Sequence, residues 1–196
     1  MLALVTSATF ACAAPAANGD LTSALARVFP GARIEPLALA LSAADVKAVE
    51  QRARARCEAR LVTAYVAWHG DTLAGAAYTD RRVVRTREAL LMTTIAPDTT
   101  VARIDVLAFF EPPDYRPSER WLARFKGTGD VPPIAGASLT SRAVSESARL
   151  ALAWHALLLV PELAKRGAHG AAPEARQAAT SATKAPTSRK APEDQR

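Results

Sequence analysis

Arg60-Leu61-Val62-Thr63-Ala64-Tyr65-Val66-Ala67-Trp68 decides the fold. Leu61, Thr63, Tyr65 and Ala67 alternate with Val62, Ala64, Val66 and Trp68, and branched and aromatic side chains are frequent, as in a β-strand. His69-Gly70-Asp71 is a turn, and Thr72–Asp80 reads as the second arm of a hairpin. Beyond the arginine-bearing stretch Arg81–Glu88, Ala89–Ile95 and Val101–Phe109 form two more strands about a Pro97-Asp98 turn. Consecutive strands joined by short turns pair antiparallel, because a parallel partner needs a long crossover. The parallel, doubly wound route to a flavin or dinucleotide is therefore excluded, and no Gly-x-Gly-x-x-Gly motif supports it.

Helices flank these strands. Leu21–Val28 reads as a short helix ending before Phe29-Pro30-Gly31. Ser42-Ala43-Ala44-Asp45 has capping-box form and opens a helix to about Arg56, with Val46, Val49 and Ala53 on one face. Pro112, Pro113 and Pro117 force a loop before Ser118, which caps a short helix carrying Trp121, Leu122 and Phe125. After the glycine- and proline-rich stretch Gly127–Ala135, the segment Ser141–Val160 is apolar nearly all round, so it predicts a helix buried against the sheet. The Gly136–Thr140 loop is then exposed at its start. The expected class is α+β: an antiparallel sheet of about four strands packed by helices, with a long C-terminal helix.

The chain has 196 residues, 49% hydrophobic and 22% charged, enough for one domain with a core. Its net charge of +6 comes from scattered basic residues without interleaved aromatics, which argues against specific nucleic-acid binding. Residues 1–17 are small and apolar with Ala-x-Ala spacings at Ala11-Cys12-Ala13 and Ala14-Pro15-Ala16, the pattern of a secretory signal lacking its positive start. Cleavage would leave Cys57 as the one cysteine, so no internal disulfide is expected. His69, His155 and His169 lack metal-ligand spacing and read as structural or solvated. No transmembrane helix is predicted: Leu150–Val160 is flanked by Arg149 and Pro161 and falls short of the roughly 20 residues required. Residues 164–196 are rich in Ala, Pro, Ser, Thr, Lys and Arg and are expected to be a disordered tail.

The chemistry concentrates at Gly136-Ala137-Ser138-Leu139-Thr140-Ser141, where three hydroxyls and two small residues meet a helix N-terminus. First-turn N–H groups lack helical partners and the dipole adds positive charge, so phosphate can be held there. A plain Ser/Thr helix cap is the alternative. Ala135 through Val144 resembles the signature of the FMN-binding domain family, roughly Ser-Gly-Ala-Thr-x-Thr-Ser followed by Ala-Val and a helix. That family includes the C subunit of the sodium-translocating NADH:quinone oxidoreductase and the G subunit of the Rnf complex. Phe110-Glu111-Pro112-Pro113-Asp114-Tyr115 and Trp121 through Gly127 resemble the family's upstream segments, and Gly75–Tyr78 and Val84–Thr86 resemble its small envelope members. The resemblance covers about residues 60–160.

The resemblance implies an FMN-binding domain over residues 20–163. It further implies FMN attached by a phosphoester to Ser138, through a separate flavin transferase that uses FAD. Gly136, Ala137, Leu139, Thr140 and Ser141 would complete the cofactor site, with Glu111, Tyr115 and Trp121 at the flavin. The expected function is electron relay between unidentified redox partners, possible membrane proteins, at the periplasmic or outer face of the cytoplasmic membrane. It is not that of an enzyme with its own substrate. Arg81, Arg82, Arg85 and Arg87 read as a solvated basic face or a dock for an acidic redox partner.

Ala135 stands where the family has Ser or Thr, Ser138 where it has Thr, and Asp130 one residue further upstream than the motif acid. These departures keep open a scaffold of the same fold without flavin. A remote alternative is a serine hydrolase, because Gly136–Thr140 is one glycine short of Gly-x-Ser-x-Gly. The only Asp after Ser138 is Asp194, however, and His155 lies in the apolar helix.

Overall fold

Five strands, rather than about four, form one antiparallel sheet in chain order: β1 (Arg33–Ala40), β2 (Leu61–His69), β3 (Thr72–Val83), β4 (Glu88–Ile95) and β5 (Val101–Phe109). The computed structural model describes residues 17–133, 135 and 138–170. Residues 1–16 of the expected signal segment, Gly136 and Ala137 of the signature, and residues 171–196 of the expected tail lie outside the described residues.

The strand missed by the periodicity is β1, which carries Pro36 and then Leu37, Ala38, Leu39 and Ala40 in place of branched residues. It nevertheless pairs with β2 along its whole length, from Arg33 opposite Trp68 to Ala40 opposite Leu61. An edge position tolerates proline, because one side of the strand needs no donor. Strand β3 runs three residues further than expected, so Arg81 and Arg82 belong to the sheet, opposite Leu90 and Ala89. At its other end Gly75 has φ of +146°, and a Cβ there would lie 2.6 Å from the Ile95 carbonyl oxygen. Glycine is needed at this point, beside the register shift between Ala67 and Trp68.

Helices cover both faces. On one, α1 (Ala17–Val28) sets Ala24 and Leu25, followed by Phe29, against Ala67, Ala77 and Met92. On the other lie α2 (Ala43–Ala53) and α4 (Ser138–Trp154), while a short α3 (Glu119–Leu122) follows the sheet. Ser42 caps α2 with the reciprocal Asp45 bond the sequence announces, and Val46, Val49 and Ala53 are its buried residues. Ser118 caps α3 through the Trp121 N–H.

Across β2 to β5, Ala64, Tyr78, Thr93 and Ile104 form one buried row. Tyr78 meets Trp154 at 6.2 Å between ring centroids, and its hydroxyl lies 3.1 Å from His155 Nδ1. A π-helical turn, His155–Leu159, follows α4 and carries that imidazole into the core.

The last helical stretch differs from expectation at both ends. It begins at Ser138 rather than Ser141, and α5 (Val160–Gly170) takes in residues expected in the tail. Glu162 pairs there with Arg166 at 3.3 Å and Lys165 at 3.9 Å, the helical spacings that support such a segment. The chain divides into two units, Met1–Leu159 and Val160–Arg196. By length and composition alone, Ser138–Gly167 suffices to cross a membrane, where the sequence predicted no such helix. Of its most apolar 18-residue stretch, 61% is buried.

Burial lowers the His155 pKa from 6.5 to about 4. The unfolded chain takes up that proton near 6.5 and the folded chain only near 4, so stability is complete above about pH 6.5 and falls toward pH 4. The loss reaches up to about 3 kcal/mol. Urea midpoints should drop between about pH 7 and about pH 4.5, and His155→Gln should flatten that slope. An undiminished slope in the variant would assign the pH dependence to other groups.

Candidate functional site

Three segments that are far apart in the chain meet at the first turn of α4. The turn after β3 is closed by a bond from the Val84 N–H to the Arg87 carbonyl, 3.0 Å. It directs three successive backbone N–H groups, those of Arg85, Thr86 and Arg87, at Glu111 Oε1, at 3.0, 2.7 and 2.8 Å. Converging amides of this kind are an anion nest, filled here by the protein's own carboxylate. The hydrogen bonds from Thr86 and Arg87 hold the Glu111 pKa below its ordinary value.

Glu111 lies two residues beyond β5, so the sheet delivers the carboxylate to the turn that joins β3 to β4. Its immediate neighbour Phe110 bonds through its N–H to the Glu88 carbonyl and leaves its ring exposed. A 3-10 turn, Pro113–Tyr115, comes next. The Tyr115 ring lies under the Arg85 guanidinium, 4.4 Å from its centroid, a cation–π contact. Its carbonyl accepts the Thr140 hydroxyl at 2.9 Å. Glu111, Arg85, Tyr115 and Thr140 thus form one connected set.

The expected site residues fare differently. Ser138 and Leu139 are exposed in the first turn of α4, so Ser138 is helical rather than part of a loop. Thr140, expected in the exposed loop, is 2% exposed, and its hydroxyl is spent on Tyr115 rather than on capping; Ser141 is equally buried. Trp121 is buried: its indole N–H donates to the Pro132 carbonyl at 3.1 Å and its ring meets Phe125 edge-on at 5.0 Å. It anchors the chain leading to α4. Gly136 and Ala137 lie outside the described residues.

The arginines are not a uniform solvated face. Arg82 is largely buried between Asp80 at 2.6 Å and Glu146 on α4 at 3.7 Å, and Arg81 pairs with Glu88 at 3.1 Å. Arg85, read only as one of four basic residues, stacks on the Tyr115 ring. Its role was hidden because the contact partner lies thirty residues away in sequence. Phe110, to which the sequence assigns no role of its own, is marked by its exposure next to the buried Glu111.

Electrostatically, the N-terminal end of the α4 dipole is positive, and the first turn, Ser138–Ser141, contains no acid. Asp130 pairs with Arg149 at 3.3 Å. Arg149 sits about 16 Å along the helix from Ser138. No group of three or more His, Cys, Asp or Glu able to hold a metal occurs among the described residues. Cys57 is buried and free.

Because Glu111 is held below its ordinary value of 4.5, its contribution to stability is present above that pH and fades as pH falls through the lower folded value. Glu111→Gln should therefore melt below the parent at neutral pH, with the gap closing in acid. Amide exchange at Arg85, Thr86 and Arg87 should accelerate in the variant, and unchanged exchange would show that the carboxylate does not hold the turn.

Comparison with protein-family models, with curated proteins and with solved structures finds no match for this chain.

Proposed function

We propose that this chain carries FMN covalently at Ser138 and relays electrons between redox partners at the membrane surface. One observation supports the choice of residue. Of the three hydroxyls in Ser138–Ser141, only that of Ser138 is on an exposed residue, whereas Thr140 and Ser141 are each 2% exposed. An acceptor that a separate transferase must reach has to be exposed.

The surrounding residues fit such a group. Ser138 Oγ would hold the phosphate as an ester, with the first-turn N–H groups and helix dipole offsetting its charge. Arg85 adds a cation nearby, and exposed Phe110 and Leu139 offer apolar surface to a flat ring. When bound, the flavin supplies one- and two-electron chemistry, and the protein's part is orientation and electrostatic environment. Glu111, Tyr115 and Trp121 would act by holding the turns around it in place. Location outside the cytoplasm, maturation by a flavin transferase and the exchange of electrons with donor and acceptor proteins follow from the resemblance over residues 60–160.

A scaffold of the same fold without flavin is the second reading, favoured by Asp130 being tied to Arg149 away from Ser138. A serine hydrolase has no such support: His155 lies about 25 Å along the helix from Ser138 and bonds Tyr78 instead. The sheet is also wholly antiparallel.

Intact mass after co-expression with a flavin transferase separates the two readings. The parent chain should gain the mass of FMN and keep its colour after denaturation. Ser138→Ala should abolish loading without loss of fold, and Ser138→Thr should retain it. Thr140→Ala should still load but lose on the order of 1 kcal/mol of stability, because its bond to Tyr115 is gone. FMN mapped to Thr140, or full loading of Ser138→Ala, would overturn the assignment. A parent chain that stays unloaded favours the scaffold.

A further inference from the structure

Strand β5 is an edge of the sheet, and six consecutive residues of it, Ala102–Leu107, line a cleft of about 600 Å³. Residues of both pleat directions take part, so the cleft follows the edge itself rather than one face. Helix α1 closes one side at Arg27, and the chain from Arg116 to Lys126 closes the other.

The edge is engaged at two points. The Val101 carbonyl accepts the Gly127 N–H at 2.8 Å, and the Val106 carbonyl accepts Arg116 Nη2 at 3.3 Å. In an antiparallel strand the N–H and C=O of one residue point the same way and the direction alternates along the chain. Val106 directs its carbonyl outward, so its N–H and both backbone groups of Ile104 face outward too. Arg103 and Asp105 then face β4, opposite Thr94 and Met92. The opposite edge, β1, carries Pro36, which blunts it, whereas β5 contains no proline.

Charge narrows the occupant. Arg27, Arg103, Arg116 and Lys126 line the cleft against two carboxylates, Asp105 and Glu119. Asp105 is already held by Arg27 at 3.5 Å and by Arg103 at 2.8 Å. The surplus is positive, and the chain as a whole carries +6, which disfavours a second copy. We propose that this edge takes up an extended acidic segment of a partner protein as a sixth strand, by backbone pairing to Ile104 and Val106. The proposal stands whether or not Ser138 bears flavin, since peptide binding and flavin loading are read separately.

The probe is a fluorescein-labelled peptide of alternating Asp and Val, about eight residues long, with a Lys-Val peptide as control. Titration into the full chain up to about 1 mM should give saturable anisotropy for the acidic peptide alone. Amide shifts should centre on Ile104 and Val106. Val106→Pro removes an outward donor and no bond to β4, so binding should weaken about tenfold while circular dichroism is retained. Lys126→Glu should weaken it about fivefold and carries the test if the proline variant does not fold. Absence of saturable binding, equal binding of the Lys-Val peptide, or full affinity in both variants would overturn the proposal. So would sedimentation showing a dimer of the parent chain that Val106→Pro dissociates.

Discussion

The position of the apolar helix α4 is what the rest of the molecule depends on. Its buried residues, among them Val144, Ala148, Leu150, Ala151 and Trp154, leave it no stable place except between the sheet and α2. Burying side chains of this kind is worth roughly 1.5–3 kcal/mol each for the larger ones. Polar contacts then choose the register. Glu146 meets the strand arginine Arg82, Arg149 donates to the Ala53 carbonyl, and the π turn beyond brings His155 to Tyr78. With the helix pinned along its length, its first turn has to emerge where Tyr115 and the turn after β3 already stand.

That end of the molecule is built from loops, yet it is ordered by chemistry rather than by bulk. A single carboxylate oxygen collects three amides, a guanidinium covers a phenol ring, and one buried hydroxyl closes the circuit to the helix. The groups engaged in this circuit are spent on structure. What stays exposed in the first turn of α4 is Ser138 and Leu139, while Thr140 and Ser141 are buried. A division of labour of this kind explains why neighbouring hydroxyls of similar chemistry have different surroundings.

Much of the sheet was legible because β2 to β5 alternate strongly and are separated by turn residues; β5 has the bounds its pattern predicts. Strand β1 was not, since Pro36 and its alanines carry no strand preference and only pairing with β2 makes it extended. The start of α4 was placed three residues late, because Ser and Thr read equally as caps and as first-turn residues. At the site, only the resemblance to a family motif singles out Ser138. The roles of Arg85 and Glu111 were not legible, because the nest depends on a turn meeting a strand end across the sheet, which no local pattern encodes.

The order of the elements also has a meaning in time. Strands β2 to β5 each pair with the next strand across a short turn, so these hairpins can form locally, whereas β1 reaches β2 through α2. Helix α4 follows the whole sheet, and α2, which precedes β2, must wait for it before its buried face is covered. The surroundings of Ser138 therefore need the sheet, the Tyr115 turn and α4 in place together. Any protein that recognises those surroundings inspects a finished molecule, and a chain stalled before α4 docks offers it nothing to act on.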